Sequence, residues 1–493
     1  MNPRSLQGTF YSRYSRALAE QGTGDPRWLS PQHLSLDGIL TPPEHPYITV
    51  NSTSRRPPGP RGRFLTGNLA AFRQDVLGFL TRSAREYGDI VGFSLSYVRC
   101  CLVNDPALIE QVLVRDHERV RKAWDLRWLR VALGDGLLTN EGDAWRRQRR
   151  LVQPAFHNDR IRGYGDIMVR KTDQMLARWS DGEVRDVHAD LMSLTLEIVA
   201  EALFGVDVAP QARSVAHALG DFMRWFEIAF NEGVPLPLWV PTPANRRAVR
   251  AIRHFDAVIR DIIRERRTRG AAGEDLLGFL LAATETGTGM TDRQLRDEVI
   301  TLLLAGHETT ALALSWSLLL VGQHPDVDAR LSREVESVLG GRLPTAADLA
   351  RLGYTRQVVQ ESLRLYPPAW GFGREVVEPI HLGDYTLRRG TQVFLVPWVT
   401  HRDPRFFPEP ERFSPERWGP DAERQIPKYA YFPFGGGPRY CVGSNFAMME
   451  AVLLLATMLQ RFRFTVRANE TVELQPAVTL RPRSGIRAEV RRR

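Results

Sequence analysis

Apolar residues recur at three- and four-residue spacing from Pro106 to about Leu365, the period of helices that bury one side. Ahead of that stretch, two short runs, Ile90–Ser94 and Cys100–Val103, read as strands. From Arg374 onward strands and turns take over. One more helix, at roughly Asn445–Arg461, precedes the terminal strands. The pattern predicts a mainly α fold with a minor β region. Arg56-Pro57-Pro58-Gly59-Pro60-Arg61-Gly62 cannot be helix and marks the start of the folded body.

The longest element is the most informative. Thr291-Asp292-Arg293-Gln294 has the form of a capping box, and the helix it opens can run to Gln323, where His324-Pro325 stops it. Between Val299 and Val321 this helix is nearly all apolar, as a membrane span would be. Gly306-His307-Glu308-Thr309-Thr310 interrupts it, and an acid with two hydroxyls at mid-bilayer would be expensive. The reading is therefore a buried helix through the centre of a large domain, with no transmembrane anchor.

Composition narrows the class. Of 493 residues, 43% are hydrophobic and 25% charged, so there is ample material for a core. Length alone suggests about three domains, yet no repeat or low-complexity linker divides the chain. One domain over 57–493 is expected, preceded by an extension over 1–56 rich in Arg, Ser, Pro and Gly. That extension has no apolar run of spanning length. A loosely ordered segment is the preferred reading, and a transit peptide the alternative. The expected location is cytoplasmic. The net charge of +9 is spread along the chain, apart from Arg491-Arg492-Arg493. No nucleic-acid module accompanies it, so no nucleic-acid partner is expected.

Three cysteines in so long a chain make no disulfide framework. Cys100 and Cys101 sit in an apolar stretch and read as small buried hydrophobes. Cys441 is different. It ends Phe434-Gly435-Gly436-Gly437-Pro438-Arg439-Tyr440-Cys441-Val442-Gly443, where three glycines allow a tight turn and close approach to a flat partner. A helix follows, and its free N–H groups and positive dipole end favour thiolate. A lone thiolate cannot build a zinc site, but it suffices as the axial ligand of haem.

This segment resembles the haem-binding loop of the cytochrome P-450 superfamily, Phe-x-x-Gly-x-Arg-x-Cys-x-Gly, and the resemblance covers roughly residues 57–493. It implies haem b, with Cys441 on the iron and Phe434, Gly435, Arg439 and Gly443 cradling the cofactor. Further motifs agree, in the family's order. Ala305-Gly306-His307-Glu308-Thr309-Thr310 looks like the oxygen-activation motif. There Ala305 and Gly306 allow close approach, and Glu308 with Thr309 relays protons. Glu361-Ser362-Leu363-Arg364 resembles the family's Glu-x-x-Arg, with Arg412 of Pro410-Glu411-Arg412-Phe413 as the third member of a buried structural network. Trp145 and Arg149, at i and i+4 on one helix face, match the family's propionate-binding pair. Arg374, Arg439 and, on weaker grounds, Lys122 are the other candidate propionate partners.

By the same resemblance the substrate pocket includes Leu302, Ala305, Ala369, Phe372, Val478 and Thr479. These residues are apolar or small, which selects hydrophobic molecules. The implied reaction inserts one oxygen atom from O2 into a hydrophobic small molecule, by hydroxylation or epoxidation. Electrons are expected from a ferredoxin or flavodoxin with its reductase, since the chain offers no flavin or iron–sulfur segment. On the Trp145 helix, Arg146 and Arg150 share a separate stripe at i and i+4 and Arg147 lies elsewhere on the turn; these arginines, Arg146 and Arg150 first, are candidates for steering that donor. Two rivals stay open: a peroxygenase fed by hydrogen peroxide, and a haem-based gas sensor or electron carrier without a substrate.

Overall fold

Thr291 starts the longest helix as its sequence requires. Its hydroxyl accepts the Gln294 backbone N–H at 3.2 Å, and the Gln294 side chain accepts the Thr291 N–H at 3.0 Å. These details come from a computed structural model, which describes residues 55–493 except 208–211, 233–237, 270–274, 286–289 and 467–471. The 1–56 extension therefore lies almost wholly outside the described residues.

Along the chain the longer helices are α1 Val76–Tyr87, α2 Trp124–Leu133, α3 Gly142–Val152, α4 Asn158–Leu176, α5 Val187–Phe204, α6 Ala212–Glu232 and α7 Pro243–Arg269. They continue with α8 Leu276–Glu285, α9 Asp292–Gln323, α10 Pro325–Leu339, α11 Gly353–Leu365 and α12 Ser444–Arg461. Helix α9 is apolar on all sides because other helices surround it. It lies along α5 and also meets α7, α11 and α12. Among the described residues it is the one helix long and apolar enough to cross a membrane, and most of its apolar window is buried inside the protein.

The two predicted strands form a hairpin, β1 Ile90–Leu95 with β2 Val98–Val103. They join β3 Val120–Lys122, β5 Phe372–Val376 and β8 Gln392–Leu395 in one sheet of order β1-β2-β8-β5-β3. The outer pair of that sheet sets Lys122 directly opposite Arg374. Cys100 and Cys101 are buried in β2, and burial pushes both thiols up. Smaller sheets hold β4 Glu183–Asp186, β6 Ile380–Leu382, β7 Tyr385–Leu387, β9 Phe462–Thr465, β10 Leu474–Pro476, β11 Leu480–Pro482 and β12 Arg487–Arg492.

One charged network positions the cysteine loop. On α11, Arg364 grips Glu361 with two hydrogen bonds of 2.8 Å, and both side chains are fully buried. Arg364 Nη1 also donates to the carbonyls of His401 (2.8 Å) and Pro410 (2.7 Å). The His401 ring, kept neutral by burial, accepts the Phe432 N–H at 2.9 Å through Nε2, two residues before the loop.

The third member differs from expectation. Arg412 contributes only its backbone carbonyl, at 3.1 Å from Arg364 Nη2, while its side chain is exposed beside Glu409. A second Pro-Glu-Arg segment, Pro415-Glu416-Arg417-Trp418, folds into a 3-10 turn against α11. From it Arg417 Nε reaches Glu361 at 3.3 Å and Trp418 Nε1 at 2.9 Å. Arg417 takes the place expected of Arg412 because this turn, not the segment before it, faces the carboxylate.

Chemical denaturation separates the two arginines. Arg364→Ala should cost about 3–5 kcal/mol by stranding a buried carboxylate, and Arg417→Ala about 1.5 kcal/mol or more. Arg412→Ala should stay within about 0.5 kcal/mol of wild type. Equal losses for Arg412→Ala and Arg417→Ala would refute the assignment.

Candidate active site

The segment Phe434–Gly443 closes on itself through the Cys441 N–H, which donates to the Phe434 carbonyl at 3.0 Å. Its glycines serve the protein side as well as any ligand. Gly437 adopts φ +65°, and a Cβ there would lie 2.0 Å from the Leu113 carbonyl oxygen. A Cβ on Gly436 would strike the Tyr429 ring, whereas one on Gly435 would meet nothing closer than Phe372. Of the three successive glycines, Gly435 has the open side expected for close approach of a ligand; Gly443 is open as well, with Phe156 at 3.6 Å its nearest neighbour.

Helix α12 begins at Ser444, so Cys441 lies just before its N-terminus. Cys441 keeps accessible surface as a residue, although its thiol stands deep among protein atoms. Its pKa is raised, because burial outweighs the Gly443 N–H and the Arg149 charge that favour thiolate. The Gly443 N–H, just before the helix start, does act toward thiolate as the sequence predicts. A bound metal ion would tip the balance, since a coordinating thiol is deprotonated outright.

Three cations gather here: Arg439 of the loop, Lys122 of β3 and Arg374 of β5. Arg439 ion-pairs with Glu141, its guanidinium lies 4.5 Å over the Trp145 ring, and its Nη1 is buried without a hydrogen-bond partner. Lys122 is buried, with Nζ donating to the carbonyls of Leu137 (2.9 Å) and Asn140 (2.6 Å). Arg374 is buried across the β3–β5 pair from it. Burial first, then Arg439 and Arg374, depress Lys122 to about 7 against the pull of Glu141 and Glu298. Like charges facing each other across a strand pair destabilise it. Such crowding is explained if a dianion belongs here, and the two propionates of haem fit it, with Arg439 two residues from the thiol.

Arg149 departs from the predicted pairing. Its Nη1 donates to the Tyr440 carbonyl at 2.8 Å, so it supports the cysteine loop, whereas Trp145 lies under Arg439. The two share a helix face but do not converge on one partner.

On α9, Ala305 is exposed and Thr309 half-buried within an otherwise buried helix. The Thr309 hydroxyl donates to the Ala305 carbonyl at 2.7 Å, as the motif predicts. Gly306 turns the other way. A Cβ there would lie 2.9 Å from Val199, so this glycine admits α5 rather than a cofactor. Glu308 points away from Thr309's face and is clamped by Arg481 at 2.6 Å and by the Thr479 hydroxyl. Burial would raise its pKa, but Arg481 and Thr479 together hold it below the usual carboxylate range. Arg481, on β11, carried no motif and was not predicted.

The expected pocket residues divide. Leu302 is buried, and Ala369 and Val478 are half-buried. Thr479 is committed to Glu308. Phe372 packs edge-on against Phe432 at 6.0 Å and lies nearest Gly435, which puts it beside the cysteine loop.

A mainly helical protein with a pinned cysteine loop, a hydroxyl-bearing central helix and cations clustered with Arg439 of that loop has the build of a haem enzyme. The chain belongs to the cytochrome P450 family, whose model matches residues 57–488. It is 38% identical to cyclooctatin synthase of Streptomyces melanosporofaciens, over 85% of this chain and 92% of that protein. Cyclooctat-9-en-7-ol 5-monooxygenase of the same organism is 37% identical, over 86% of this chain and 91% of its own length. Pentalenene oxygenase of Streptomyces avermitilis is 35% identical, over 79% and 87%. This chain is therefore a haem-dependent monooxygenase that inserts an oxygen atom from O2 into a hydrophobic small molecule, using electrons from a redox partner protein.

The cation cluster makes a pH prediction. Lys122 has a folded pKa depressed from 10.5 to about 7. The unfolded state therefore binds the extra proton between those values, and this group's contribution to stability rises with pH across that window. In haem-free protein, urea midpoints from pH 7 to 9 should rise more steeply for wild type than for Lys122→Met. Identical slopes would refute the crowding.

Proposed function

We propose that Cys441 holds the iron of haem b in a single domain over 57–493, and that Arg439, Arg374 and Lys122 receive the propionates. The observation that carries this reading is the gathering of buried Lys122 and Arg374 with Arg439, which lies two residues before the pinned Cys441. Haem so held supplies the oxygen-activating chemistry, with the thiolate pushing electron density toward O–O cleavage. The protein residues bind, orient and move protons. Arg149 steadies the loop through Tyr440. Thr309 presents a hydroxyl on the open face of α9, and Glu308, adjacent in sequence but turned to Arg481 and Thr479, is the acidic member proposed for the acid–alcohol pair.

The proposed substrate is a cyclic terpenoid. Relatives named for cyclooctatin, cyclooctat-9-en-7-ol and pentalenene support this class, as do the apolar and small residues Leu302, Ala305, Ala369 and Val478. The proposed donor is a ferredoxin or flavodoxin with its reductase, and the proposed location is cytoplasmic.

The α3 face supports donor docking with one revision. Arg146 is already paired with Asp143 at 2.6 Å and Glu118 at 3.3 Å. Arg147 and Arg150 are exposed, and among the described residues neither has an acidic partner. They carry the free charge that would steer an acidic donor.

One experiment tests both parts. With pentalenene as the probe hydrocarbon, a plant-type ferredoxin system and labelled dioxygen, the haem spectrum should shift on binding. Product should then carry one labelled oxygen per molecule. Arg147→Glu with Arg150→Glu should slow reduction by ferredoxin at low salt and flatten its salt dependence, while dithionite reduction is unchanged. Absence of any spectral shift across cyclic terpenes would remove the substrate class. Equal ferredoxin kinetics across a salt series would remove the docking face.

A further inference from the structure

The chain between α2 and α3, residues 134–140, is a strap laid across the N-terminal turns of α9. Two glycines let it come that close. A Cβ on Gly134 would lie 2.2 Å from the Asp297 carboxylate, and one on Gly136 would lie 2.1 Å from the Thr301 hydroxyl. Two consecutive acids of α9 then hold alternate residues of the strap. Asp297 Oδ2 accepts the Asp135 N–H at 2.8 Å, and Glu298 Oε2 accepts the Leu137 N–H at 3.0 Å. Asp297 is fastened to Arg296 at 2.8 Å. Glu298 is fully buried, has no ion pair among the described residues, and leaves Oε1 without a hydrogen-bond partner.

Leu137 is gripped from its other end as well. Lys122 Nζ donates to the Leu137 carbonyl at 2.9 Å and to the Asn140 carbonyl at 2.6 Å. An ammonium has three N–H donors, so the strap takes two and leaves one direction for a further acceptor. That direction is set by where the two carbonyls stand, and Leu137 stands where Glu298 holds it. Burial raises the Glu298 carboxyl to about 8, with the Leu137 N–H opposing. At physiological pH it is therefore a neutral acid, with its proton on Oε1 and Oε2 as the acceptor.

We infer that Glu298 is a positioning residue for cofactor retention: through the Leu137 backbone it aims the Lys122 ammonium at a haem propionate. The inference rests on Lys122 being a propionate partner, as proposed above. Glu298 needs no charge for this role, only an acceptor oxygen at a fixed place. That accounts for a carboxyl kept buried with no cation hydrogen-bonded to it. It also gives the strap a second task besides joining α2 to α3, since its carbonyls tie the cation to the central helix.

Haem loss tests the idea. The rate at which haem-loaded protein surrenders its cofactor to excess apomyoglobin is followed by absorbance at neutral pH. Lys122→Met should speed the loss roughly tenfold, because a charge-assisted hydrogen bond goes with it. Glu298→Leu should speed it roughly fivefold by freeing Leu137. Glu298→Gln keeps an acceptor oxygen and should stay within about twofold of wild type. In the Lys122→Met background, Glu298→Leu should add nothing, because it acts through Lys122. Gly136→Ala displaces the strap without touching either side chain and decides the matter should Glu298→Leu not fold. It should mimic Glu298→Leu, and its effect should likewise vanish without Lys122. Effects that multiply in the double variants overturn the inference, and so does a wild-type rate in both Glu298→Leu and Gly136→Ala. A wild-type rate in Lys122→Met removes instead the reading of Lys122 as a propionate partner, on which the inference stands.

Discussion

A carboxylate and a guanidinium can be buried together only if nearly every remaining hydrogen-bonding position is filled. Glu361 and Arg364 meet that condition by recruiting chain from several directions. The carbonyls of His401, Pro410 and Arg412 accept from Arg364, while the Ser414 N–H, Arg417 and Trp418 donate to Glu361. The region between β8 and the cysteine loop is thereby fixed against α11. His401 passes the constraint to Phe432, and Tyr431 adds a bond to the Gln360 carbonyl at 3.1 Å. Cys441 can be held in one place without any disulfide because its loop leaves this network already oriented.

The electrostatics around the thiol run against the stability of the empty protein. Lys122, Arg374 and Arg439 crowd one another, and Cys441 is disfavoured as an anion by its own burial. Both strains would be relieved by the cofactor proposed above, its propionates meeting the cations and its iron taking the thiolate. Functional sites commonly concentrate unfavourable charge in this manner. Here it makes cofactor binding and fold stability parts of one equilibrium.

The sequence was most legible where a local rule is strict. The capping box at Thr291, the stop at Pro325, the β1–β2 runs and the helix after Cys441 all follow from nearest-neighbour chemistry. The Thr309 bond to the Ala305 carbonyl follows from spacing within a helix. Long-range pairings were less visible. Two Pro-Glu-Arg segments stand five residues apart, and only packing against α11 selects Arg417 over Arg412. Gly306 looked like room for a ligand, yet Val199, far off in sequence, claims that space. Arg481 lacked any motif. Its pairing with Glu308 arises from which strand happens to face α9, something periodicity does not encode.

The central claim is that Cys441, alone of the three cysteines, carries the iron. The direct measurement is the absorption spectrum of the reduced carbonyl complex, recorded for wild type and for Cys441→Ser, Cys100→Ser and Cys101→Ser. Thiolate ligation gives a long-wavelength Soret band, which wild type and both β2 variants should show and Cys441→Ser should lose. Survival of that band in Cys441→Ser would contradict the account.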